Sequence, residues 1–442
     1  MKLKNLLIAS AGLFLFGACS SSENEPEVVN KSFDAVLSIA ATQNGVTTKA
    51  DATDANALTN EAFISTLTAY VFNEAGTLVG SGISTSAQNG NASVDSVAHI
   101  TVKVNAQDAG YVSTDKFDVF LLANATPSTA ITSESQLSEA LLNGDITSIS
   151  VPNVTSGKAY IPMFSKVIKG VTGLVAGKTY NNWALNSKTA VQTTTYTGEY
   201  EVTTTAGKAG AASTTVYSMN QDDKIVLNRY VARVQLESLK TNFEGTLANS
   251  EFTLTNVSLA NVSGTSLLMP STASTAISGF ELMPATISYF RGYPATITRA
   301  DYILANGSTS DLLSKSYTGV TVKNTTPVTF DNTNMAQFYA FEHSSSTFTE
   351  NSKTGTAYTL MIITGDIKDA STGITQKDVS YRVVIKDNTV TGVKHNYIYK
   401  LNVTLTGTGT PNPDENLLNA YLSVKITVDP WKVVNQTEND VN

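Results

Sequence analysis

Apolar and polar residues alternate along much of this chain with a period of two, the spacing of strands that bury one face. In SFDAVLSIA, Phe33, Ala35, Leu37 and Ile39 fall on one side. HITVKVNA aligns Ile100, Val102 and Val104 in the same way. KFDVFLLANA, residues 116–125, is apolar on both sides, which predicts a central strand. RYVARVQLESL sets Tyr230, Ala232, Val234 and Leu236 against Val231, Arg233, Gln235 and Glu237. Near the C-terminus, HNYIYKLNVTL aligns Tyr397, Tyr399, Leu401, Val403 and Leu405, and AYLSVKITVDPW aligns Leu422, Val424, Ile426 and Val428. One segment departs from the rhythm. SESQLSEALLNG offers Ser133 as an N-cap, Gln136 three residues on, Leu137, Ala140 and Leu141 on one face, and Gly144 as a stop, which predicts a short helix. The expected fold class is therefore all-β with a minor helix.

The chain is long enough for two domains. TTTAGKAGAASTT, residues 203–215, reads as a loop or linker, and a regular strand follows from Lys224 to Leu239. Two β-sandwich-like domains, residues 50–220 and 221–442, are the natural division. Charged residues make up 15% of the chain and the net charge is −8, a poor match to nucleic acid, which rewards clustered Lys and Arg. Candidate chemistry is thin. His99, His343 and His395 share no ligand spacing, and no nucleophile elbow, zinc-protease helix or phosphate loop is present, so no catalytic residue, metal or cofactor is expected. DATDAN, residues 51–56, lacks the glycine and distal glutamate of a calcium loop. Trp183 and Trp431 are read as core residues before sugar-stacking platforms. Sequons occur at Asn124 and Asn402, and Asp95 to Val97 resembles a short O-glycosylation motif.

Cys19 is the only cysteine, so no intramolecular disulfide forms. Lys2 and Lys4 followed by LLIASAGLFLF resemble an export signal, and Gly17-Ala18-Cys19 resembles a lipobox. This reading assigns residues 1–18 to a signal peptide and 19–49 to a lipidated propeptide held to the outer membrane through Cys19. Lys49 is the only basic residue between Lys31 and Lys103, in a stretch of small and polar residues. A cut between Lys49 and Ala50 would remove the lipid and with it the strand carrying Phe33, Ala35, Leu37 and Ile39, leaving an apolar groove. At the other end, Pro430 is expected to break the strand ladder after Val428, and Trp431, Val433 and Val434 supply further apolar side chains. Together these predict strand complementation between copies of the chain, with residues 422–434 as the donor.

The lipobox, NEAFISTLTAYVFNEAGTLVG (60–80), LNRYVARVQLESL (227–239), FTLTNVSLANVSG (252–264), FYAFEHSS (338–345) and HNYIYKLNVTLTGTG (395–409) resemble, in order and spacing, the Bacteroidetes fimbrial major subunits of the FimA/Mfa1-like type V pilin superfamily, Mfa1-like branch. That family often has Glu-Asn where this chain has Glu342–His343. The resemblance implies two tandem transthyretin-like β-sandwich domains and lipoprotein export. It also implies maturation by an Arg- or Lys-specific surface protease, polymerisation by strand exchange, and roles in adhesion and biofilm formation. Its partners would be other copies of itself, accessory fimbrial subunits and a surface receptor not named by the sequence. Two other readings stay open at this point: a tip or accessory adhesin, and a monomeric glycan-binding surface lipoprotein.

Overall fold

The computed structural model describes residues 30–43, 61–111, 113–144, 146, 160–171, 174, 176–177, 192–193, 216–217, 225–270, 289–290, 292, 313–324, 326–331, 333–343, 346–350, 353–385, 392–411 and 422–430. The first half lays down β1 (Lys31–Gln43), β2 (Thr66–Asn73), β3 (Leu78–Thr85), β4 (Ser96–Ala106), β5 (Phe117–Ala123), β6 (Met163–Ser165) and β7 (Ile168–Val171). A two-stranded ribbon of β8 (Gln192–Thr193) and β9 (Val216–Tyr217) precedes β10 (Ile225–Arg229). All but the ribbon join one eight-stranded sheet in the order β3-β2-β5-β6-β10-β1-β4, with β7 alongside β5. The two ends of this sheet come together at Gly80. A Cβ there would lie 2.7 Å from Val102 Cγ1 and 2.9 Å from the Thr101 carbonyl oxygen of β4, so the close approach requires glycine.

The apolar run of β5 is buried on both faces, as its sequence predicts. Val119 and Leu121 join Ala35, Leu37 and Ile39 in a core confined to the first half. Phe120 and Leu122 point the other way, into a larger core shared with the second half.

The second half comprises β11 (Val231–Thr241), β12 (Glu251–Ala260), β13 (Val262–Ser263), β14 (Tyr289–Phe290), β15 (Ser314–Val322), β16 (Val328–Thr329), β17 (Ala336–Phe341), β18 (Ser346–Glu350), β19 (Lys353–Ala357), β20 (Leu360–Lys368), β21 (Thr375–Val384), β22 (Tyr397–Leu405) and β23 (Leu422–Pro430). One sheet runs β16-β11-β22-β23 with β17 also on β11; the other runs β15-β12-β20-β21. Val234, Leu236, Leu401 and Val403 of the first sheet meet Leu254, Val257, Met361 and Ile363 of the second in one core, the packing of a β-sandwich.

The chain passes between halves at Tyr230. Its ring lies 4.4 Å from that of Phe164 in β6, and its hydroxyl donates to the Leu268 carbonyl. The strand read as continuous from Lys224 is thus two strands in two sheets. The five residues of β10, which a division at 220/221 gives to the second half, pair with β6 and β1 of the first.

The segment expected to be a helix forms only a 3-10 turn, Glu134–Ser138, with Ser133 and Gln136 in the predicted capping box. An α-helix cannot continue because its backbone groups are taken from outside. Leu142 N–H donates to Ser266 O, Leu268 N–H to Ala140 O and Met269 N–H to Leu137 O, stitching the two halves together.

Candidate assembly site

β1 forms where the alternation of Phe33, Ala35, Leu37 and Ile39 predicts a strand, and it lies inside the sheet rather than at its margin. It runs antiparallel to β4, with Phe33 opposite Val104, Ala35 opposite Val102, Leu37 opposite Ile100 and Ile39 opposite Val97. A bulge between Leu37 and Ile39 shifts the register, and Ala41 to Gln43 then run parallel to β10. Ala35, Leu37 and Ile39 are at most 1% exposed, whereas Phe33 is only partly covered at the rim. A strand so placed separates β10 from β4, and its withdrawal would open a slot with unpaired backbone on both walls. Cys19, Lys49 and Ala50 lie outside the described residues.

At the other end of the chain, β23 pairs with β22, its one strand partner among the described residues, from Leu422 opposite Leu405 to Pro430 opposite Tyr397. It is the edge of its sheet. Leu422, Val424 and Ile426 pack on the core but stay half-buried, and Val428 sits opposite Tyr399. Proline occupies the last position of this edge strand, where a missing N–H costs the ladder least. Trp431, Val433 and Val434, like Trp183, lie outside the described residues. Lys400 of β22 faces Asp429 of β23 at 3.6 Å and Glu237 of β11 at 3.9 Å, a charge ladder across three strands.

A feature not legible in the sequence joins the two halves. Glu61 is completely buried, and its carboxylate receives Arg233 Nη1 at 2.9 and 3.1 Å. Tyr339 Oη donates to it at 2.6 Å and Gln337 Nε2 at 3.3 Å. Arg233 and Tyr339 are direct cross-strand neighbours on β11 and β17, as are Gln235 and Gln337, so the acceptor sits on the sheet face turned away from the sandwich core. Burial lowers Arg229 to about 10 despite the opposing pull of Glu61. Burial, reinforced by the Glu61 charge, pushes Tyr339 well above the ordinary phenol value. In the sequence Arg233 alternates with apolar residues alongside Gln235 and Glu237, as a solvent-facing residue would, so nothing local marks it as buried.

The remaining candidates are structural. Asn124 is saturated: its Oδ1 accepts from Ser65 and Thr66 N–H, and its Nδ2 donates to the Phe63 and Ile161 carbonyls. Asn402 Oδ1 accepts from Ser238 Oγ, and Ser96 of the O-glycosylation-like motif is paired with Ala40 in the β1–β4 ladder. His343 is buried with Nδ1 3.0 Å from Thr359 Oγ1, and His395 contacts Glu342. Among the described residues, no three His, Cys, Asp or Glu side chains are grouped to hold a metal, and no helix is long and apolar enough to cross a membrane.

Residues 35–229 match the family described as major fimbrial subunit protein (FimA). No curated protein sequence matches the chain. Among solved structures, a candidate cell adhesion protein from Parabacteroides distasonis ATCC 8503 is similar over 91% of this chain and 100% of its own, with 20% identity and a TM-score of 0.56. A second from the same organism has 19% identity and a TM-score of 0.54 over 91% and 98%. A fimbrilin (fimA) from Porphyromonas gingivalis W83 has 17% identity and a TM-score of 0.52 over 91% and 99%. These three likenesses concern the fold, which they share along most of the chain. The FimA family match thus spans the first half of the chain, from β1 to β10, and the tandem β-sandwich fold is the one these fimbrilin and adhesion-protein structures share.

Proposed function

We propose that this chain is a shaft subunit of a cell-surface fimbria, made as an outer-membrane lipoprotein through Cys19, cut between Lys49 and Ala50, and polymerised by strand exchange. The observation that carries the reading is the position of β1. An apolar strand upstream of the candidate cut lies inside a sheet, between β10 and β4, with Ala35, Leu37 and Ile39 fully covered. Losing Leu37 and Ile39 alone would forfeit about 3–6 kcal/mol of burial, in addition to the ladder bonds on both sides. A slot of that kind favours refilling. The chain supplies a matching occupant in β23, whose Leu422, Val424, Ile426 and Val428 alternate with polar residues and whose hold on its own sheet is through one neighbour.

Repeated head to tail, a donor at one end and a slot at the other give an open filament rather than a closed ring. In this scheme the precursor cannot polymerise because β1 occupies the slot, and an Arg- or Lys-specific surface protease sets the timing. Other copies of the chain are the principal partners, with accessory fimbrial subunits at the ends. The mature subunit of 442 − 49 = 393 residues carries no cysteine.

The test is a Lys49→Ala variant expressed in the native host. Wild-type fibres are expected to yield subunits whose mass begins at Ala50, while the variant accumulates as lipidated monomer. Fibres built from subunits that still carry residues 19–49 would contradict the proposal.

A further inference from the structure

We propose that Glu61 is the anchor that keeps the chain downstream of the cut fastened to the second domain while β1 is withdrawn from the first. This rests on the processing scheme above and concerns what happens to the new chain end, which that scheme leaves open. Three observations carry it. Glu61 lies 61 − 50 = 11 residues beyond Ala50, and its carboxylate reaches into the second domain's sheet to take donors from Arg233, Gln337 and Tyr339. Arg233 and Glu61 side chains are both 0% exposed, so water does not compete for the pair. The inward residues of β1 belong to the core confined to the first half, whereas β11 and β17, which hold Glu61, belong to the core spanning both halves.

The consequence is a division of labour. Extraction of β1 disrupts the core around Leu37 and Ile39, and with β1 already severed at the cut, the loosening it leaves can spread through that core and from the new chain end toward β2. Glu61 stops it before β2 begins at Thr66, because moving its carboxylate would strip a buried guanidinium of its counter-charge. The first domain thereby opens one slot without losing its junction with the second. Glu61 acts as a positioning residue, and its effect should appear in the cut protein more than in the intact one.

The experiment is hydrogen exchange on the full chain before and after limited digestion with a lysine-specific protease, comparing wild type, Glu61→Gln and Tyr339→Phe. In wild type, amides of residues 61–65 and 336–341 are expected to keep their protection within twofold after cutting. In Glu61→Gln they are expected to exchange at least tenfold faster once cut. Tyr339→Phe, which removes one donor and keeps the ring, should fall between. Equal protection in cut wild type and cut Glu61→Gln would overturn the anchor, as would loss of protection in wild type on cutting. If mass analysis shows no cut after Lys49, the processing site is wrong. A recognition site for a second protease is then placed between residues 49 and 50, and cut wild type against cut Glu61→Gln decides the anchor alone: a tenfold difference, absent before cutting, supports it and equality overturns it.

Discussion

Burial governs the chemistry of His343. The imidazole sits inside the second domain against Thr359, and desolvation lowers its pKa from 6.5 to about 4. An unfolded chain takes up this proton near the ordinary value, while the fold resists it until about pH 4. The unfolded state therefore binds more protons in between, and stability rises with pH across that window. The contribution is complete above about pH 6.5 and is lost as pH falls, amounting to about 3 kcal/mol over the whole interval. Urea midpoints at pH 7 and pH 5 test this. Wild type should lose about 2 kcal/mol more than His343→Asn between the two. Equal losses would show that the ring charges without penalty. At the same scale, Glu61→Ala removes the carboxylate from a buried guanidinium and should destabilise by about 3–5 kcal/mol with an unchanged m-value. Lys169 provides a contrast. It bridges Asp118 and Glu134 on the surface, and because its side chain is 59% exposed, Lys169→Ala should cost under about 1 kcal/mol.

Strands are where sequence and fold agree best, for a physical reason. A half-buried strand needs an alternating code, and β1, β4, β22 and β23 lie where that code predicts them. Pairing is a different matter. That β1 separates β10 from β4, one parallel and one antiparallel, depends on partners far along the chain and leaves no local mark. Arg233 and Gln235 alternate as though facing water, yet residues around Glu61 cover them, so both faces of β11 are buried. The helix predicted after Ser133 became one turn because the 264–269 segment captured its backbone. Gly80 reads as an ordinary strand glycine until β4 is placed against it. Gly80→Val should therefore cost about 1–3 kcal/mol through overpacking against Val102, measured by thermal unfolding; an unchanged melting temperature would mean that the sheet does not close there. For β23, deleting residues 430–442 is expected to abolish fibres while leaving a folded monomer, as seen by size-exclusion chromatography. Normal fibres from that variant would remove the C-terminal segment as donor.

The whole molecule joins an inserted N-terminal strand, an edge strand near the other end of the chain and a buried tie between its halves. In the proposed scheme the first two serve as slot and donor, and the third holds the halves of each subunit together while they exchange. The strands at both ends were legible in the sequence, because alternation is a local signal. It could not carry the Glu61–Arg233 contact, which spans 172 residues. The central claim is that another copy's C-terminal strand replaces β1 in the assembled fibre. Cryo-electron microscopy of isolated fibres tests it most directly. The slot between β4 and β10 should hold residues 422–434 of a neighbouring subunit, with the subunit's own Lys31–Gln43 gone. Fibres in which Lys31–Gln43 still fills that slot would contradict the account.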